Sequence, residues 1–384
     1  MTQFMGYRRP DGSVGVRNIV AVVSAMDNTN PCASRIADIV DGTIAIATPF
    51  GRTQIGHDFE MTLRTLAGIG AHPNVASVLV LGLSMATATA LADRIQPSGK
   101  PVKALGLQEA GSTMALTTEG VRVAADLVVA ASEQARTECA FADLIVAVEC
   151  GGSDTTSGLA SNPTVGLFAD RFIDAGGTII LSEPAEFMGA EHILAERAVE
   201  PEDGRRIYEM VQWFEDEAKR NGVDMRGTNP TPDNIEGGLT TLEEKSLGAI
   251  AKGGSRPIVE VVDYAKAPSK RGLVIMNTPS AACESMTGLL GGGSHMIIFS
   301  TGRGNDIGAP VSPTVKITGN PHTAATMKEN IDVDVSAIIS EGELLETAAE
   351  RLWNEMLKVA QGKITRCEVL KEYQLSVSRF GPSV

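Results

Sequence analysis

A short apolar run that ends in a glycine-rich polar loop constrains the fold of this chain more than any other segment. Residues 144–148 (LIVAV) lead directly into the sequence ECGGSD at 149–154. The length of the run, its β-branched residues and the two glycines after it predict a buried strand followed by a tight loop. Ligands of open α/β sheets bind beside such loops, at the carboxyl ends of strands. The segment therefore predicts an α/β fold with a candidate site, although a buried inert cysteine and a Ser/Asp helix cap are the alternative interpretation.

Composition narrows the class of protein and its compartment. A chain of 384 residues with 43% hydrophobic residues can fill two cores, and 4% aromatic residues with 40 glycines suit strand–loop–helix units better than a β-sandwich. The net charge of −14 argues against nucleic acid or an anionic membrane as a partner. The sequence has no apolar run of about 18 residues, no signal-peptide pattern and five dispersed cysteines. We therefore expect a cytoplasmic chain with reduced thiols.

The first third of the sequence alternates between strand and helix patterns. Strands are predicted at 18–24, 42–47, 76–82 and 102–105, and helices at 32–40, 59–69, 85–95 and 113–136. Strands separated by helical patterns of this length indicate βαβ crossovers and a parallel sheet. We place a domain boundary near residue 140, which gives an N-terminal α/β domain at 1–140 and a C-terminal catalytic α/β domain at 141–384.

A second series of strands and helices follows this boundary. Strands are predicted at 144–148, 178–181, 273–276 and 296–300, and helices at 165–174, 201–221, 283–290 and 341–360. Residues 222–238 show no apolar period, so a long irregular loop is predicted there, of a kind that is usually functional or disordered. The expected fold class is α/β, with two Rossmann-like parallel-sheet units and the active site in loops at the carboxyl ends of strands.

Four predicted loops share one topology, in which a strand ends in glycine and polar residues. They are 149–154, 182–192, 277–280 and 300–305. If their strands lie in one parallel sheet, the loops converge on one edge. The side chains that would converge are Cys150, Ser153, Asp154, Glu183, Glu186, His192, Thr301 and Arg303. Carboxylates, a thiolate and an imidazole suit a borderline divalent metal such as Fe²⁺, Mn²⁺ or Zn²⁺, and an arginine between glycines can grip a carboxylate bidentately.

Several of these residues also have a structural interpretation. His192 can be a surface imidazole, and Glu183 and Glu186 can form the solvated first turn of a helix. His72 lies in the turn-forming sequence His-Pro-Asn and is expected to be structural, whereas the role of His57 stays open. The sequence contains neither of the glycine-rich patterns that bind nucleotide phosphates, so use of a nucleotide is not supported.

Five segments carry motifs that together point to one family. They are 7–18, 150–163, 182–192, 237–254 and 287–316. In this order they resemble the large catalytic region of the altronate/galactarate dehydratase family, and the resemblance covers essentially the whole chain. It implies a lyase.

Two departures from the usual pattern of this family matter. Where its dehydratases carry cysteines in the N-terminal domain, this sequence reads PFGRTQIGHDFE at 49–60 and LGLSMA at 81–86. The sequence also lacks the small β-rich N-terminal domain of those dehydratases. Both features resemble the branch of the family in which the catalytic chain is the large subunit of a sulfolactate sulfo-lyase. That resemblance implies a separate small SAF-like subunit and a homo-oligomer or hetero-oligomer.

The resemblance implies the same chemistry for both branches. A base removes the C2 proton of an acidic 2-hydroxy acid, a metal or an arginine holds the carboxylate, and the group on C3 departs as hydroxide or sulfite. The best prediction is (2R)-3-sulfolactate converted to pyruvate and sulfite by the large subunit of a two-component enzyme. An altronate/galactarate-type dehydratase is the first alternative. A non-catalytic binding subunit, suggested by the altered N-terminal loops, is the second.

The predicted site residues follow from this chemistry. The metal, Fe²⁺ or else Mn²⁺, is assigned to Cys150, Glu186 and His192. The proton-transfer step is assigned to Asp154, Glu183 and Lys252. Substrate binding is assigned to polar and cationic side chains of the same motifs and loops: Arg17, Asn18, Arg52, Ser153, Thr301 and Arg303. Among these, Arg52 is expected to bind the sulfonate, because a fixed guanidinium suits a group that stays charged at any working pH.

Overall fold

The computed structural model describes residues 3–384, and its strands account for both predicted series. In chain order they are β1 (Gln3–Arg8), β2 (Val14–Gly15), β3 (Ile19–Ser24), β4 (Thr43–Ile46), β5 (Val75–Gly82), β6 (Val102–Gly106), β7 (Thr137–Ala140), β8 (Ile145–Cys150), β9 (Thr178–Leu181), β10 (Ile258–Val262), β11 (Leu273–Met276), β12 (Met296–Ser300), β13 (Thr314–Thr318) and β14 (Val333–Asp334).

The α-helices alternate with these strands. They are α1 (Asn30–Ile39), α2 (Gly56–Ala71), α3 (Met85–Ile95), α4 (Leu107–Ala110), α5 (Thr113–Ser132), α6 (Asn162–Asp174), α7 (Glu191–Ala195), α8 (Pro201–Arg220), α9 (Met225–Thr228), α10 (Pro232–Glu236), α11 (Leu242–Ala251), α12 (Ala282–Gly291), α13 (Pro321–Thr326), α14 (Ala337–Ser340), α15 (Leu345–Ala360) and α16 (Arg366–Leu370). Within residues 3–384, no helix is both long and apolar enough to cross a membrane.

The N-terminal sheet has four parallel strands in the order β4-β3-β5-β6. Every residue of β5 is buried, as expected for a central strand between two layers of helices. Side chains of α1 and α5, among them Ile36 and Leu127, pack on one face, and those of α2 and α3, among them Leu66 and Leu91, pack on the other. The strand order reverses between β3 and β5, so the crevice at their carboxyl ends is the position where such folds bind ligands.

The C-terminal sheet has seven parallel strands in the order β10-β11-β9-β8-β12-β13-β14. Its order reverses between β8 and β12, where Cys150 and Ser300 are paired at the strand ends. Because β11, β9, β8 and β12 are consecutive neighbours, the four loops that follow them lie at one edge, as predicted. The predicted fold class, α/β with parallel sheets, is confirmed.

A small antiparallel sheet with the order β2-β1-β7 combines two strands that precede the N-terminal unit in the chain with one strand that follows it. Its residues Phe4 and Val14 belong to the same buried cluster as Phe141 and Phe172 of the C-terminal unit. The N-terminal strands therefore contribute to the C-terminal core. The boundary that we propose near residue 140 falls directly after β7.

Helices α2 and α12 bring the two large sheets together. A Cβ added at Gly68 would lie 2.1 Å from the carbonyl oxygen of Gly291, so the two backbones touch where any side chain would clash. Near the opposite end of α2, His57 shares a cavity of about 640 Å³ with Thr278, which follows β11. The first half of α2, from the N-terminal unit, therefore faces a loop at the carboxyl edge of the C-terminal sheet.

The segment at 222–238, predicted to be a long irregular loop, is partly helical. It contains α9 and α10, and the start of α10 is fixed by a reciprocal capping arrangement between Thr231 and Asn234. This correction has a simple cause, because helices of four or five residues are too short to produce an apolar period.

Candidate active site

Four buried side chains form a cluster at the carboxyl ends of β8 and β9. Glu149 and Cys150 end β8, Glu183 lies after β9, and Lys252 directly follows α11. The Lys252 ammonium donates to Glu183 Oε2 at 3.0 Å, and the Cys150 backbone N–H donates to the same oxygen at 3.2 Å. Both side chains of the Glu183–Lys252 pair are 1% exposed. Because a buried ion pair is seldom more stable than an apolar pair of similar size, this cluster is a candidate for chemistry.

Glu183 is held in an uncommon backbone conformation. Its φ of 67° and ψ of 59° lie in the left-handed region, which costs a residue other than glycine about 1–3 kcal/mol. The Glu183 N–H donates to Thr278 Oγ1 at 2.9 Å, and its carbonyl accepts from the Glu186 N–H at 2.8 Å. These two bonds hold the strained residue so that its carboxylate meets Cys150 and Lys252. Strain of this kind is concentrated at functional sites.

Glu149 supplies a second carboxyl group to the cluster. Its Oε2 accepts from the Ser182 hydroxyl at 3.0 Å and from the Ser285 hydroxyl at 2.6 Å. Burial, together with the neighbouring Glu183 carboxylate, raises the pKa of Glu149 well above its ordinary value. Its other oxygen, Oε1, accepts no hydrogen bond within residues 3–384. A buried carboxylate oxygen without a donor is unfavourable, which is a further reason for this group to favour its neutral form.

Lys252 and Cys150 are the remaining two groups of the cluster, and their surroundings favour a charged lysine but a neutral cysteine. Burial alone would lower the pKa of Lys252, but its acidic neighbours, Glu183 and Glu149 among them, raise it above its ordinary value. Burial raises the pKa of the Cys150 thiol to about 12. The cluster therefore holds the Glu183–Lys252 ion pair, a Glu149 carboxyl group that is shifted toward its neutral form, and a Cys150 thiol shifted the same way. The two charges compensate each other, so the cluster can remain buried.

Asp154, one of the residues assigned to proton transfer, has both carboxylate oxygens occupied. Its Oδ1 accepts from the Thr156 hydroxyl at 2.6 Å and from the Ser157 N–H at 3.0 Å, and its Oδ2 accepts from the Asn320 amide at 2.7 Å. A Cβ on Gly302 would lie 2.3 Å from its Oδ1, so Gly302 closes over this carboxylate. Asp154 therefore caps the turn that precedes α6, and we no longer assign proton transfer to it.

Arg17 and Asn18, assigned to the substrate, join segments of the fold instead. The Arg17 guanidinium donates all five of its N–H groups, to both carboxylate oxygens of Glu368 at 2.7 and 2.9 Å and to three backbone carbonyls. The Asn18 side chain accepts from Arg9 and donates to the carbonyl of Ala131, both at 2.7 Å. Since these contacts use the groups that would grip a substrate, we withdraw both residues from the substrate site.

The other predicted substrate residues differ in how accessible they are. Thr301 is buried, and its hydroxyl accepts from the Gly304 N–H at 3.0 Å, which makes it part of the turn after β12. Arg303 is exposed and pairs with Glu236 at 2.7 Å. Ser153 lines a cavity beside Asp154. Arg52 is exposed and makes no hydrogen bond or ion pair within residues 3–384, so its guanidinium stays a candidate for an anionic ligand.

The structure does not bring together the three side chains assigned to a metal. Cys150 lies in the buried cluster, Glu186 pairs with Lys245 at 3.0 Å, and His192 is exposed on α7. Within residues 3–384, no group of three or more His, Cys, Asp or Glu side chains is arranged to hold a metal ion. This donor set does not fit the expected Fe²⁺ or Mn²⁺. We therefore derive no step from a metal, and metal dependence stays a prediction.

Comparison with known proteins places the chain in a family. The family model "D-galactarate/Altronate dehydratase, C-terminal" matches residues 141–383. A second model, "D-galactarate dehydratase/Altronate hydrolase, second domain", matches residues 6–132. The chain belongs to the galactarate/altronate dehydratase family. The predicted resemblance is confirmed, and with it the assignment of the chain to the lyases.

Named relatives of the family show the range of activities around this chain. The (2R)-sulfolactate sulfo-lyase subunit beta of Chromohalobacter salexigens is 39% identical over 379 residues, which cover 98% of this chain and 97% of that protein. The altronate dehydratase of Escherichia coli is 32% identical, over 98% of this chain and 77% of that protein. The galactarate dehydratase (L-threo-forming) of Escherichia coli is 29% identical, over 94% and 73%.

In this member of the galactarate/altronate dehydratase family, residues that adjoin or contact the buried cluster line two cavities. The smaller, of about 250 Å³, is lined by Ser153, Asp154 and Lys245. The larger, of about 640 Å³, is lined by residues of both domains, including His57 and Thr278. Since the Thr278 hydroxyl accepts directly from the Glu183 N–H, the wall of the larger cavity is one hydrogen bond away from the catalytic candidate.

Sequence reasoning about this family missed part of the cluster. Glu149 lies in the motif at 149–154, yet the pattern alone gives it no role, and neither Ser285 nor Thr278 is among the predicted residues. Two signals were available: Glu149 follows an apolar strand where a charged side chain must be buried, and Thr278 lies in one of the four loops that converge. Ser285 carried no signal of its own, because its position on α12 gives it a role only through the fold.

Proposed function

We propose that the chain is a lyase that removes the C3 group of an acidic 2-hydroxy acid, with 3-sulfolactate as substrate and pyruvate and sulfite as products. The observation that carries this proposal is the buried Glu149–Glu183–Lys252 cluster at the carboxyl ends of the strands. The 39% identity to a protein named as a sulfolactate sulfo-lyase subunit supports this substrate over a sugar acid.

We also propose that the chain is the larger component of a two-component enzyme whose partner is a small SAF-like subunit. The support is the name of the same relative, which is called subunit beta. A cytoplasmic location is part of the proposal, because the five cysteines are unpaired and the cytoplasm keeps thiols reduced.

The chain's own residues can carry the proton and charge steps. The Glu183 carboxylate is the base that takes the C2 proton, and the Lys252 ammonium stabilises the negative charge that spreads into the substrate carboxylate. The C3–S bond then breaks, both of its electrons leave on sulfite, and the C2 electron pair forms the C2–C3 double bond. In the last step, C3 gains a proton as the C2 hydroxyl loses one, which gives pyruvate. Glu149 carries a proton that can pass through Glu183.

Substrate entry requires a movement, because Glu183 and Lys252 are enclosed in this structure. Opening of the loop after Cys150 would break the two bonds that the Gly152 carbonyl accepts from the N–H groups of Gly302 and Arg303. Cys150 reports on this movement: its buried, neutral thiol should react slowly with alkylating reagents in the substrate-free protein and faster when sulfolactate is present. An unchanged rate of labelling would contradict entry through this loop. Cys367, also buried, is the comparison site.

The proposed reaction is tested by a product assay. The purified chain, alone and with candidate small subunits, is incubated with 3-sulfolactate, altronate and galactarate, and sulfite and 2-keto acids are quantified. We expect sulfite and pyruvate in equal amounts from sulfolactate, and only when a small subunit is present. A 2-keto-3-deoxy sugar acid with no sulfite would transfer the chain to the dehydratases. Sulfite release by the chain alone would contradict the two-component proposal.

Metal dependence is tested separately. Elemental analysis of protein purified without oxygen, together with assays with added Fe²⁺ or Mn²⁺, decides whether a metal takes part. Stoichiometric metal that is needed for turnover would require a set of ligands other than Cys150, Glu186 and His192. Turnover in metal-depleted protein would remove the metal from the mechanism.

A sugar-acid dehydratase is the second candidate function, favoured by the family models and by the 32% identity to an altronate dehydratase. Hydroxide leaves less readily than sulfite, so this reaction needs an acid at the C3 oxygen, and the neutral carboxyl group of Glu149 could provide it. The non-catalytic alternative is not retained, because the relatives are named as enzymes.

A further inference from the structure

The cavity of about 640 Å³ between the two domains, which we call the cleft, is rich in aromatic side chains. The chain has only 10 Phe, 4 Tyr and 2 Trp, and four of these residues line the cleft: Trp213, Phe214, Tyr264 and Phe380. Large apolar rings are mostly buried in a folded protein, but Trp213 is 37% exposed and Phe380 is 58% exposed. The cleft therefore offers a ligand a flat apolar surface.

One wall of the cleft is built jointly by the two domains. The ring centroid of Trp213, on α8, lies 5.0 Å from that of Phe380, with the ring planes at 78°. The ring of His57, on α2, lies 5.6 Å from that of Phe380. The Phe380 N–H also donates to Asp58 Oδ1 at 3.0 Å, which anchors this segment to α2. The aromatic wall is therefore held in place without a ligand.

The charged side chains of the cleft are paired, with one exception. Arg220 pairs with Glu217, and Asp263 pairs with Arg206 at 3.0 Å. Arg64, half-buried on α2, makes no ion pair within residues 3–384. Since the acidic groups that line the cleft are already compensated, Arg64 gives it an attraction for an anion.

The Arg64 guanidinium is also held in a fixed orientation. Its Nε donates to the Tyr264 carbonyl at 3.0 Å. Tyr264 is itself fixed, because it is 6% exposed and its hydroxyl donates to the Glu284 carbonyl at 2.7 Å. The two terminal nitrogens of Arg64 make no hydrogen bond within residues 3–384, so they remain available as a fork for a carboxylate, sulfonate or phosphate.

The cleft adjoins the catalytic cluster but does not include it. None of Glu149, Cys150, Glu183 and Lys252 lines the cleft, and the connection is Thr278, whose hydroxyl accepts from the Glu183 N–H at 2.9 Å. Its volume falls within the range of about 300–1,000 Å³ that is typical of small-molecule sites. A three-carbon hydroxy acid has no flat apolar part that could cover the rings.

We propose that the cleft binds a second ligand, an organic acid with a flat apolar body. Its anionic group pairs with Arg64, and its body packs on the rings of Trp213 and Phe380. Such a ligand uses both the unpaired guanidinium and the exposed rings, which an inorganic anion or a neutral apolar molecule would not. The inference goes beyond the proposed reaction, because no residue of the catalytic cluster takes part in the binding.

Probes that differ in charge or in the ring test the proposal. Benzenesulfonate carries both features, benzenesulfonamide is its neutral counterpart, and ethanesulfonate lacks the ring. Each is titrated into the full chain carrying Trp353→Phe, in which Trp213 is the single tryptophan and reports on the cleft by its fluorescence. We expect benzenesulfonate to bind at least about tenfold more tightly than either counterpart, because a charge-assisted pair is stronger than a neutral contact. No Trp213 response at about 10 mM benzenesulfonate would overturn the proposal.

Two variants separate the anion site from the aromatic wall. Arg64→Gln should weaken benzenesulfonate about tenfold and change the affinity for benzenesulfonamide by less than about twofold. Phe380→Ala should weaken both ring-bearing probes by the same factor, about threefold to tenfold, and leave ethanesulfonate unchanged. The matched control is Glu217→Gln combined with Arg220→Gln, which removes a complete ion pair from the same cleft and should keep the preference for benzenesulfonate within about twofold.

Other outcomes would reject the assignment of the cleft. A preference for benzenesulfonate that survives in Arg64→Gln would place the anion elsewhere. Competition between sulfolactate and benzenesulfonate, or loss of benzenesulfonate binding in Glu183→Gln combined with Lys252→Met, would make the cleft part of the catalytic site. Displacement of benzenesulfonate by a small subunit would make it a protein interface. We expect none of these, and the titrations need no turnover, so they stand or fail independently of the sulfite assay.

Discussion

The carboxyl edges of the two large sheets have the same topology but opposite chemistry. At the C-terminal sheet, Glu183 and Lys252 are buried and ion-paired, and Glu149 is held by two hydroxyls. At the N-terminal sheet, polar residues such as Gln54 are buried without partners. A charged group can stay buried only if it is compensated, whereas a neutral amide can be left unsatisfied at moderate cost. The comparison indicates that the fold itself compensates the charges at one edge, whereas it leaves polar groups of the other edge without partners.

Removing the charge balance of the C-terminal edge should have the largest effect. Lys252→Met leaves the Glu183 carboxylate buried without its cation, and the free energy of unfolding should fall by about 3–5 kcal/mol. Turnover should fall by a factor of about 10³ or more, since the ammonium that stabilises the developing charge is gone. Urea unfolding and the sulfite assay measure the two effects.

A double variant distinguishes loss of charge balance from loss of packing. In Glu183→Gln combined with Lys252→Met no ion is left unpaired, so most of the lost stability should return while activity stays absent. If the double variant is as unstable as Lys252→Met, the ion pair is not the source of the effect. The contrast between the two edges would then lose its main support.

The amino ends of the strands are a third region, and the pH dependence of stability compares it with the two carboxyl edges. His295, before β12, is fully buried, and burial lowers its pKa from 6.5 to about 4. Its folded pKa is depressed, so its contribution to stability is complete above about pH 6.5 and is lost as the pH falls toward 4. At about 1.4 kcal/mol per pH unit, this loss amounts to about 3 kcal/mol. The urea midpoint should therefore fall steeply across this range.

His295→Asn tests whether His295 causes the loss of stability at low pH. The Asn Oδ1 can accept the Ile145 N–H that the His295 ring now accepts at 2.9 Å, and it does not titrate. Between pH 6.5 and 4 the variant should lose about 3 kcal/mol less than the parent. The neighbouring His72, whose pKa burial also lowers, accounts for part of the slope that remains. An unchanged acid profile would place the sensitivity outside this histidine.

Substitution at the N-terminal edge should have a small effect on stability. Gln54→Leu removes two buried polar atoms that have no partner, so the free energy of unfolding should change by less than about 1 kcal/mol, or rise. Ser285→Ala provides the matched contrast at the other edge, because its 2.6 Å bond to Glu149 is lost and about 1–3 kcal/mol should be lost with it. Similar losses in both variants would remove the difference between the edges.

The smallest effect is expected at Arg303. Its ion pair with Glu236 is exposed, so Arg303→Ala should leave the midpoint of thermal unfolding unchanged within error. If Arg303 grips the substrate carboxylate, as its loop predicts, the KM should still rise severalfold. An unchanged KM would restrict recognition of the anionic end to Arg52 and the cluster.

Short-range patterns predicted most of the fold, and long-range contacts decided much of the site. The strands at 178–181, 273–276 and 296–300 have the predicted bounds, because an apolar run closed by turn residues is a local signal. The loop convergence followed from the parallel sheet. The contacts of Arg17 could not be foreseen, because its partner Glu368 is 351 positions away. For Asp154 the decisive contact, Asn320, is 166 positions away. A sequence shows that a polar group is present, but not whether the fold has already satisfied it.

The direct backbone contact between Gly68 and Gly291 is a point about which the two domains can pivot. It lies toward the ends of α2 and α12, on the side of His72 and His295 and away from His57 and Thr278. Helices that touch without side chains between them cannot slide past each other without a clash, so the easiest relative motion is a rocking about the glycines. In such a motion the atoms at the cleft move farthest, and the two histidines hardly move. We therefore expect the width of the cleft entrance to fluctuate, while water stays excluded from the amino ends of the strands.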